Sequence, residues 1–147
     1  MINYLYVDKL EDLREYTSLN ELAGFLHSAL IPYEDSIDEI MGGLEYAFSE
    51  AEGKGGFVLL AREDNTTVGA LVMLRTGMSG YVPPNILLYI AVDPAHRGQG
   101  IGGNLIKEAF KRASGDIKLH VEYENPAKRL YERMGFESKY AEMRYTR

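Results

Sequence analysis

The chain has no cysteine and only three histidines, scattered at positions 27, 96 and 120. Without Cys there is neither a disulfide framework nor a thiolate metal site, and three separated His cannot replace one, so no metal is expected. No run approaches the ~20 apolar residues of a membrane span, and Met1–Tyr6 carries no basic leader region. The expectation is a soluble, cytoplasmic chain without a membrane partner. Basic residues are scarce in the first part of the chain: residues 1–93 hold 5 Lys/Arg against 15 Asp/Glu, a net of −10. Residues 94–147 hold 11 against 7, a net of +4. That division excludes the broad basic face of a general nucleic-acid binder. It suits a molecule that meets an anion with its second part and a cation with its first, although solvated acidic helices account for the first part equally well.

What is present points to one mixed α+β domain over 1–147, large enough to bury ~68–70% of its unfolded surface. Ile2–Val7 has the pattern of a strand, and Asp8 with Glu11 makes a capping-box-like helix start. Ser18 with Glu21 opens a helix whose Leu22, Phe25, Leu26 and Leu30 recur at helical spacing until Pro32. Ser36 with Glu39 opens another, with Ile37, Ile40, Met41, Leu44, Phe48 and Ala51 on one face and Gly53–Gly56 as its stop. Gly42-Gly43 inside it costs roughly 1 kcal/mol per residue, which marks a bend or a close contact. Residues 57–62 and 67–75 flank a polar turn as an antiparallel hairpin.

A strand over 85–92 ends at Asp93-Pro94, and a helix over 102–113 follows. Between them lies Arg97-Gly-Gln-Gly100-Ile-Gly-Gly103. Strand, Gly-rich turn and helix N-terminus in that order are how a fold offers backbone N–H groups to phosphate. A further strand over 117–122 should run parallel to 85–92, since a helix joins them. Asn125-Pro126 starts a last helix with cap and first-turn Pro in their preferred places, Gly135 stops it, and Ser138–Tyr145 has the pattern of a closing strand.

Taken literally, Gly98-Gln-Gly100-Ile-Gly-Gly103 satisfies the dinucleotide fingerprint G-x-G-x-x-G, with Glu122 about the right distance downstream. That fingerprint belongs to a two-sided parallel sheet. Here a hairpin precedes it and only one further helical crossover remains. Val92-Asp-Pro-Ala-His-Arg97-Gly-Gln-Gly100-Ile-Gly102 instead resembles motif A of the GNAT superfamily of N-acetyltransferases. Asn125-Pro-Ala-Lys-Arg-Leu-Tyr131-Glu-Arg-Met-Gly135-Phe136 resembles that superfamily's motif B.

The resemblance implies a central mixed, mostly antiparallel sheet with a splayed parallel strand pair and flanking helices. It implies acetyl-CoA as acyl donor, with its pyrophosphate on the backbone of Arg97, Gly98, Gln99, Gly100, Ile101 and Gly102. Pantetheine would pair with the main chain of Ile90, Ala91 and Val92, whose side chains also read as plain sheet core. The reaction implied is direct attack by an amine on the thioester without an acyl-enzyme, and the lack of Cys agrees with it. Tyr131 stands where relatives often keep a Tyr that protonates the departing thiolate; packing of a helix residue is its plainer reading. Asn125 resembles a cofactor-contacting Asn, but it precedes Tyr131 by six residues where seven is commoner, and a helix cap is its alternative.

Many relatives place a carboxylate on the strand here spanning 85–92, and this chain has Leu87, Leu88 and Tyr89 there. His120 and Glu122 would share one face of their strand and could act through water, or serve only as a half-buried His and a strand-end charge. Glu34, Asp35 and Tyr140 fall where the family builds its acceptor pocket; acidic residues there would favour a cationic amine, and a solvated turn accounts for them equally well. The acceptor that the resemblance implies is a small-molecule or peptide amine, and a homodimer fits the family's habit. Lacking an obvious base, the chain also fits a non-catalytic acyl-CoA-binding sensor.

Overall fold

The computed structural model describes residues 1–147. Five strands form one sheet in the order β1-β2-β3-β4-β5: β1 (Ile2–Val7), β2 (Gly56–Glu63), β3 (Thr66–Arg75), β4 (Asn85–Val92) and β5 (Ile117–Leu119). The first four pair antiparallel, and β4 with β5 is parallel. The helices are α1 (Leu10–Leu13), α2 (Leu19–Ala29), α3 (Ile37–Ala47), α4 (Ile101–Arg112) and α5 (Ala127–Arg133). This is the mixed, mostly antiparallel sheet with flanking helices that the sequence pattern implies.

Two apolar layers hold it. On one face of the sheet, Leu22, Leu26, Ile40 and Leu44 of α2 and α3 pack on Val58, Leu60, Ala70 and Val72. On the other, Ile101, Leu105, Ile106 and Ala109 of α4 pack on Leu59, Leu71, Met73 and Leu87, with Tyr131 of α5 at the margin. The caps are where the sequence puts them for α2 and α3: Ser18 accepts from the Glu21 N–H, and Ser36 with Glu39 closes a full capping box. Gly135, at φ 102°, ends α5 with the Phe136 N–H on the Tyr131 carbonyl at 2.9 Å, a Schellman closure.

Four sequence expectations are corrected. α1 is a single turn whose N-cap is Lys9 without a side-chain cap, so Asp8 does not cap it. α3 stops at Ala47, well before Gly53, and Ala51 lies outside it; Ser49 Oγ takes the Ala51 N–H at 3.1 Å, offering the backbone a local turn in place of another helical bond. β5 ends at Leu119, so His120 and Glu122 are not on a strand. The closing strand over 138–145 does not form, and that segment is exposed. A β5 of three residues offers too short an edge to recruit it, and charges at Glu137, Lys139, Glu142, Arg144 and Arg147 keep its backbone in water.

The feature that positions the site is where β4 and β5 part. Their pairing covers only Asn85 to Leu87 against Ile117 to Leu119. It is pinned at its base by the buried Asn85 carboxamide, which donates to the Ser114 and Asp116 carbonyls at 2.7 and 3.1 Å. Beyond Leu87, β4 is paired on one side only, by β3. Met73 faces Leu87 and Val72 faces Tyr89, so Leu88 has no partner and forms a bulge at the fork.

Candidate active site

Past the fork, β4 leads through Asp93 into a single 3-10 turn (Pro94–His96) and then the Gly-rich turn. Asp93 caps the 3-10 turn by accepting from the Ala95 N–H. Gly98 and Gly100 have φ of 80° and 79°, the left-handed region open to Gly at little cost. Gly100 is the N-cap of α4, and the first N–H returned into the helix is that of Asn104, to the Gly100 carbonyl. The six N–H groups from Gly98 to Gly103 therefore have no main-chain acceptor. Together with the positive end of the α4 dipole they form a donor cradle for an anion. Gly102 contributes differently: a Cβ there would stand 3.1 Å from Leu130 Cδ2, so its small size lets α4 and α5 meet.

The Arg97 N–H is directed to the Pro94 carbonyl at 3.5 Å, leaving it a weaker donor than the six that follow. The guanidinium is committed to protein: NH2 donates to the Ala29 carbonyl at 2.7 Å and Nε to the Val92 carbonyl at 3.3 Å. A cation on the last residue of α2 also complements that helix's dipole. Gln99 is exposed, whereas Ile101 is 2% exposed and can offer only its backbone. The Ile90 and Val92 side chains pack toward the α4 layer and Ala91 toward the α2–α3 layer, so here too only main chain faces the fork.

Tyr131 is 8% exposed, edge-on to Phe136 with ring centroids 5.9 Å apart. Burial pushes its phenol up to about 12, yet the hydroxyl has no protein partner and is not sealed from solvent. Asn125 Oδ1 accepts from the Ala127 N–H at 2.9 Å, so its oxygen serves as a helix cap. Glu122 is exposed on the loop beyond β5, where its carbonyl accepts the Asn125 N–H at 3.0 Å. Tyr140 is also exposed, edge-on to Tyr81 at 5.4 Å.

The loop between α2 and α3 closes the other side. Asp35 Oδ2 accepts from the Tyr89 hydroxyl at 2.7 Å, bringing a carboxylate onto the strand position that lacked one. Burial first, then this hydrogen bond and the charges of Asp35 and Glu39, push the Tyr89 phenol far above its ordinary value. The Tyr33 hydroxyl donates to the Glu124 carbonyl at 3.2 Å, tying the same loop to the segment before α5. Glu34 Oε2 is buried without a partner. Tyr89, Tyr33 and the bulge at Leu88 escape sequence reasoning. Simple alternation treats 85–92 as one regular strand, and only the register against β3 shows where its faces change.

Comparison with known proteins fits this architecture. The sequence pattern of the acetyltransferase (GNAT) domain matches residues 54–138. A mycothiol acetyltransferase of Brachybacterium faecium is 35% identical over 86 residues, 54% of this chain. The chain spans only about a quarter of the length of the curated relatives it matches, 26% and 22%. Among solved structures, a GNAT-family acetyltransferase of Streptococcus pneumoniae superposes with a TM-score of 0.68 at 21% identity, covering 100% of this chain and 98% of that one. An aminoglycoside N-acetyltransferase in complex with CoA gives 0.69 at 15% identity, covering 100% and 95%. These two likenesses concern the fold, whereas the domain pattern covers more than half of the sequence, from just before β2 to just past α5. The chain belongs to the GNAT acetyltransferase family.

Proposed function

We propose that this chain transfers an acetyl group from acetyl-CoA to an amine by direct attack, as a single catalytic domain. The observation that carries the reading is the run of six N–H groups, Gly98 to Gly103, without acceptors at the head of α4, next to a strand paired on one side only. A pyrophosphate suits the first feature and an extended amide-bearing arm such as pantetheine suits the second, through the main chain of Ile90, Ala91 and Val92. One structural neighbour is described as a complex with CoA, which supports the same donor. The dinucleotide alternative loses its basis, because the sheet has one parallel pair and no second parallel crossover unit.

In the proposed reaction the amine nitrogen forms a C–N bond at the thioester carbonyl, the C–S bond breaks, and the thiolate leaves. Tyr131, protonated throughout the neutral range and with an unengaged hydroxyl, donates to that sulfur. Glu34 and Asp35, on the loop that reaches Tyr89, are assigned to the acceptor side, where their charge would favour a cationic amine; Tyr140 is assigned to the same side, although its observed partner is Tyr81. Asn125 has its NH2 left over for the donor. Glu122, exposed and off the strand, has no observation in favour of a catalytic role.

The test is calorimetric titration with acetyl-CoA and with NAD, followed by a thiol-release assay over primary amines that includes a diamine, an aminoglycoside and an alanine-headed peptide. Sub-millimolar acetyl-CoA binding and release with at least one amine are expected. Binding without any release would leave the sensor reading instead, and no acetyl-CoA binding would end both. Gly100→Asp should abolish acetyl-CoA binding, since it sets a carboxylate on the donor cradle at a left-handed position.

A further inference from the structure

The amine that attacks must first lose a proton, and β4 carries no carboxylate to take it. The fork nevertheless has one. Tyr89, paired with Val72 of β3, follows the unpaired Leu88 and lies two residues past Leu87, where the pairing of β4 with β5 ends; its hydroxyl donates to Asp35 from the α2–α3 loop at 2.7 Å. We propose that Tyr89 relays the proton of the acceptor ammonium to Asp35, so that a loop carboxylate acting through a strand phenol serves as the base of this site. The inference rests on the acetyl-transfer reading above.

Three features of the pair suit a relay. The Tyr89 hydroxyl has given its one proton to Asp35, so its remaining lone pairs can only accept. A phenolate is not populated at neutral pH, because burial and the nearby carboxylates hold the phenol protonated; Tyr89 can therefore take a proton only while passing its own to Asp35. The geometry is also held. α3 crosses the bulge closely enough that a Cβ on Gly43 would stand 2.5 Å from Leu88 Cδ2 and 3.4 Å from Tyr89 Cε2. The loop that bears Asp35 is tied at Ala29 by Arg97 and at Tyr33 to the Glu124 carbonyl. The other charged groups around the pair are Glu39 of α3, Glu34 beside Asp35, and Arg144 of the C-terminal segment, which feels the Asp35 charge.

The step balances. One ammonium N–H proton passes to Tyr89 Oη as the Tyr89 O–H proton passes to Asp35 Oδ2, and the freed nitrogen lone pair makes the C–N bond. Asp35, which is exposed, returns its proton to solvent. The nitrogen's second proton leaves after C–N bond formation and replaces, through solvent, the one taken up by the departing thiolate.

The experiment measures kcat/KM against pH for the wild type, Asp35→Asn and Tyr89→Phe. It uses the best primary amine of the panel and hydroxylamine, which is uncharged at neutral pH, with acetyl-CoA affinity as the control for folding. Both variants should bind acetyl-CoA normally and lose about 10²-fold on the primary amine at neutral pH. The loss should shrink as rising pH supplies free amine, and hydroxylamine should be nearly unaffected. Wild-type rates on the primary amine in either variant overturn the relay, and so do equal losses on both amines, which mark a structural role. A wild type that binds acetyl-CoA but acetylates no amine overturns the transfer reading itself, and the relay with it.

Discussion

At the residue scale, Tyr131 and His96 show what a single contact decides. Tyr131→Phe keeps the ring that packs on Phe136 and removes only the hydroxyl. Turnover should fall roughly 10²-fold while acetyl-CoA affinity stays unchanged; unaltered turnover would leave Tyr131 a packing residue. Because the phenol titrates only near 12, it should impose no loss of rate as pH rises through 9. The His96 ring lies between Glu63 Oε1 at 3.2 Å and Asp93 Oδ2 at 2.9 Å. Glu63 first, then Asp93, raise its pKa above the ordinary value. A raised folded-state pKa contributes stability that is fully present below ~6.5 and lost as pH climbs through the folded value. A ring titration followed by NMR should place His96 above 6.5, and Glu63→Gln should bring it down; an unshifted wild-type His96 would refute the clamp. Asp93 lies one turn before His96, but Glu63 is 33 residues away, so only the fold of the turn from β4 against the end of β2 could reveal the full cluster.

At the element scale, the two adjacent glycines of α3 should part company. Gly42 is exposed, and a Cβ added there would meet nothing within 4 Å, so Gly42→Ala should gain up to ~1 kcal/mol of helix propensity, about 2–4 °C in Tm. Gly43→Ala starts from the same gain, but its Cβ must push Leu88 aside and crowd Tyr89. It should lose most of that benefit and lower amine turnover by disturbing the relay; equal Tm gains in the two variants would show that α3 does not press on the bulge. The same elements show how far sequence carries. The caps at Ser18 and Ser36, the hairpin, and the strand-turn-helix around Gly100 were legible because each depends on neighbours a few residues apart. The bulge at Leu88, the early end of β5 and the unformed strand over 138–145 were not. They depend on which main-chain groups find partners on another strand, and the period-two pattern is silent on that.

At the scale of the whole molecule, the uneven charge of the sequence becomes an arrangement of faces. α2 and α3, with Glu21, Asp38, Glu39 and Glu45, cover one side of the sheet, while α4 and α5, with Lys107, Lys111, Arg112, Lys128, Arg129 and Arg133, cover the other. At the fork a strand of the net-negative residues 1–93 (−10) parts from a strand of the net-positive residues 94–147 (+4). An anionic donor and a cationic acceptor would each approach the side of opposite sign. Because these charges are mostly solvent-exposed, their pull falls as the screening length shortens from ~10 Å at 0.1 M salt to ~3 Å at 1 M. The acetyl-CoA Kd and the KM of a cationic amine should therefore both rise with salt, while the KM of hydroxylamine should not. Tm should move little over the same range, since the ion pairs within the chain lie at its surface and contribute little to stability. A KM for the cationic amine that ignores salt would mean the acidic face plays no part in recruiting it, and would leave Asp35 to act on proton transfer alone.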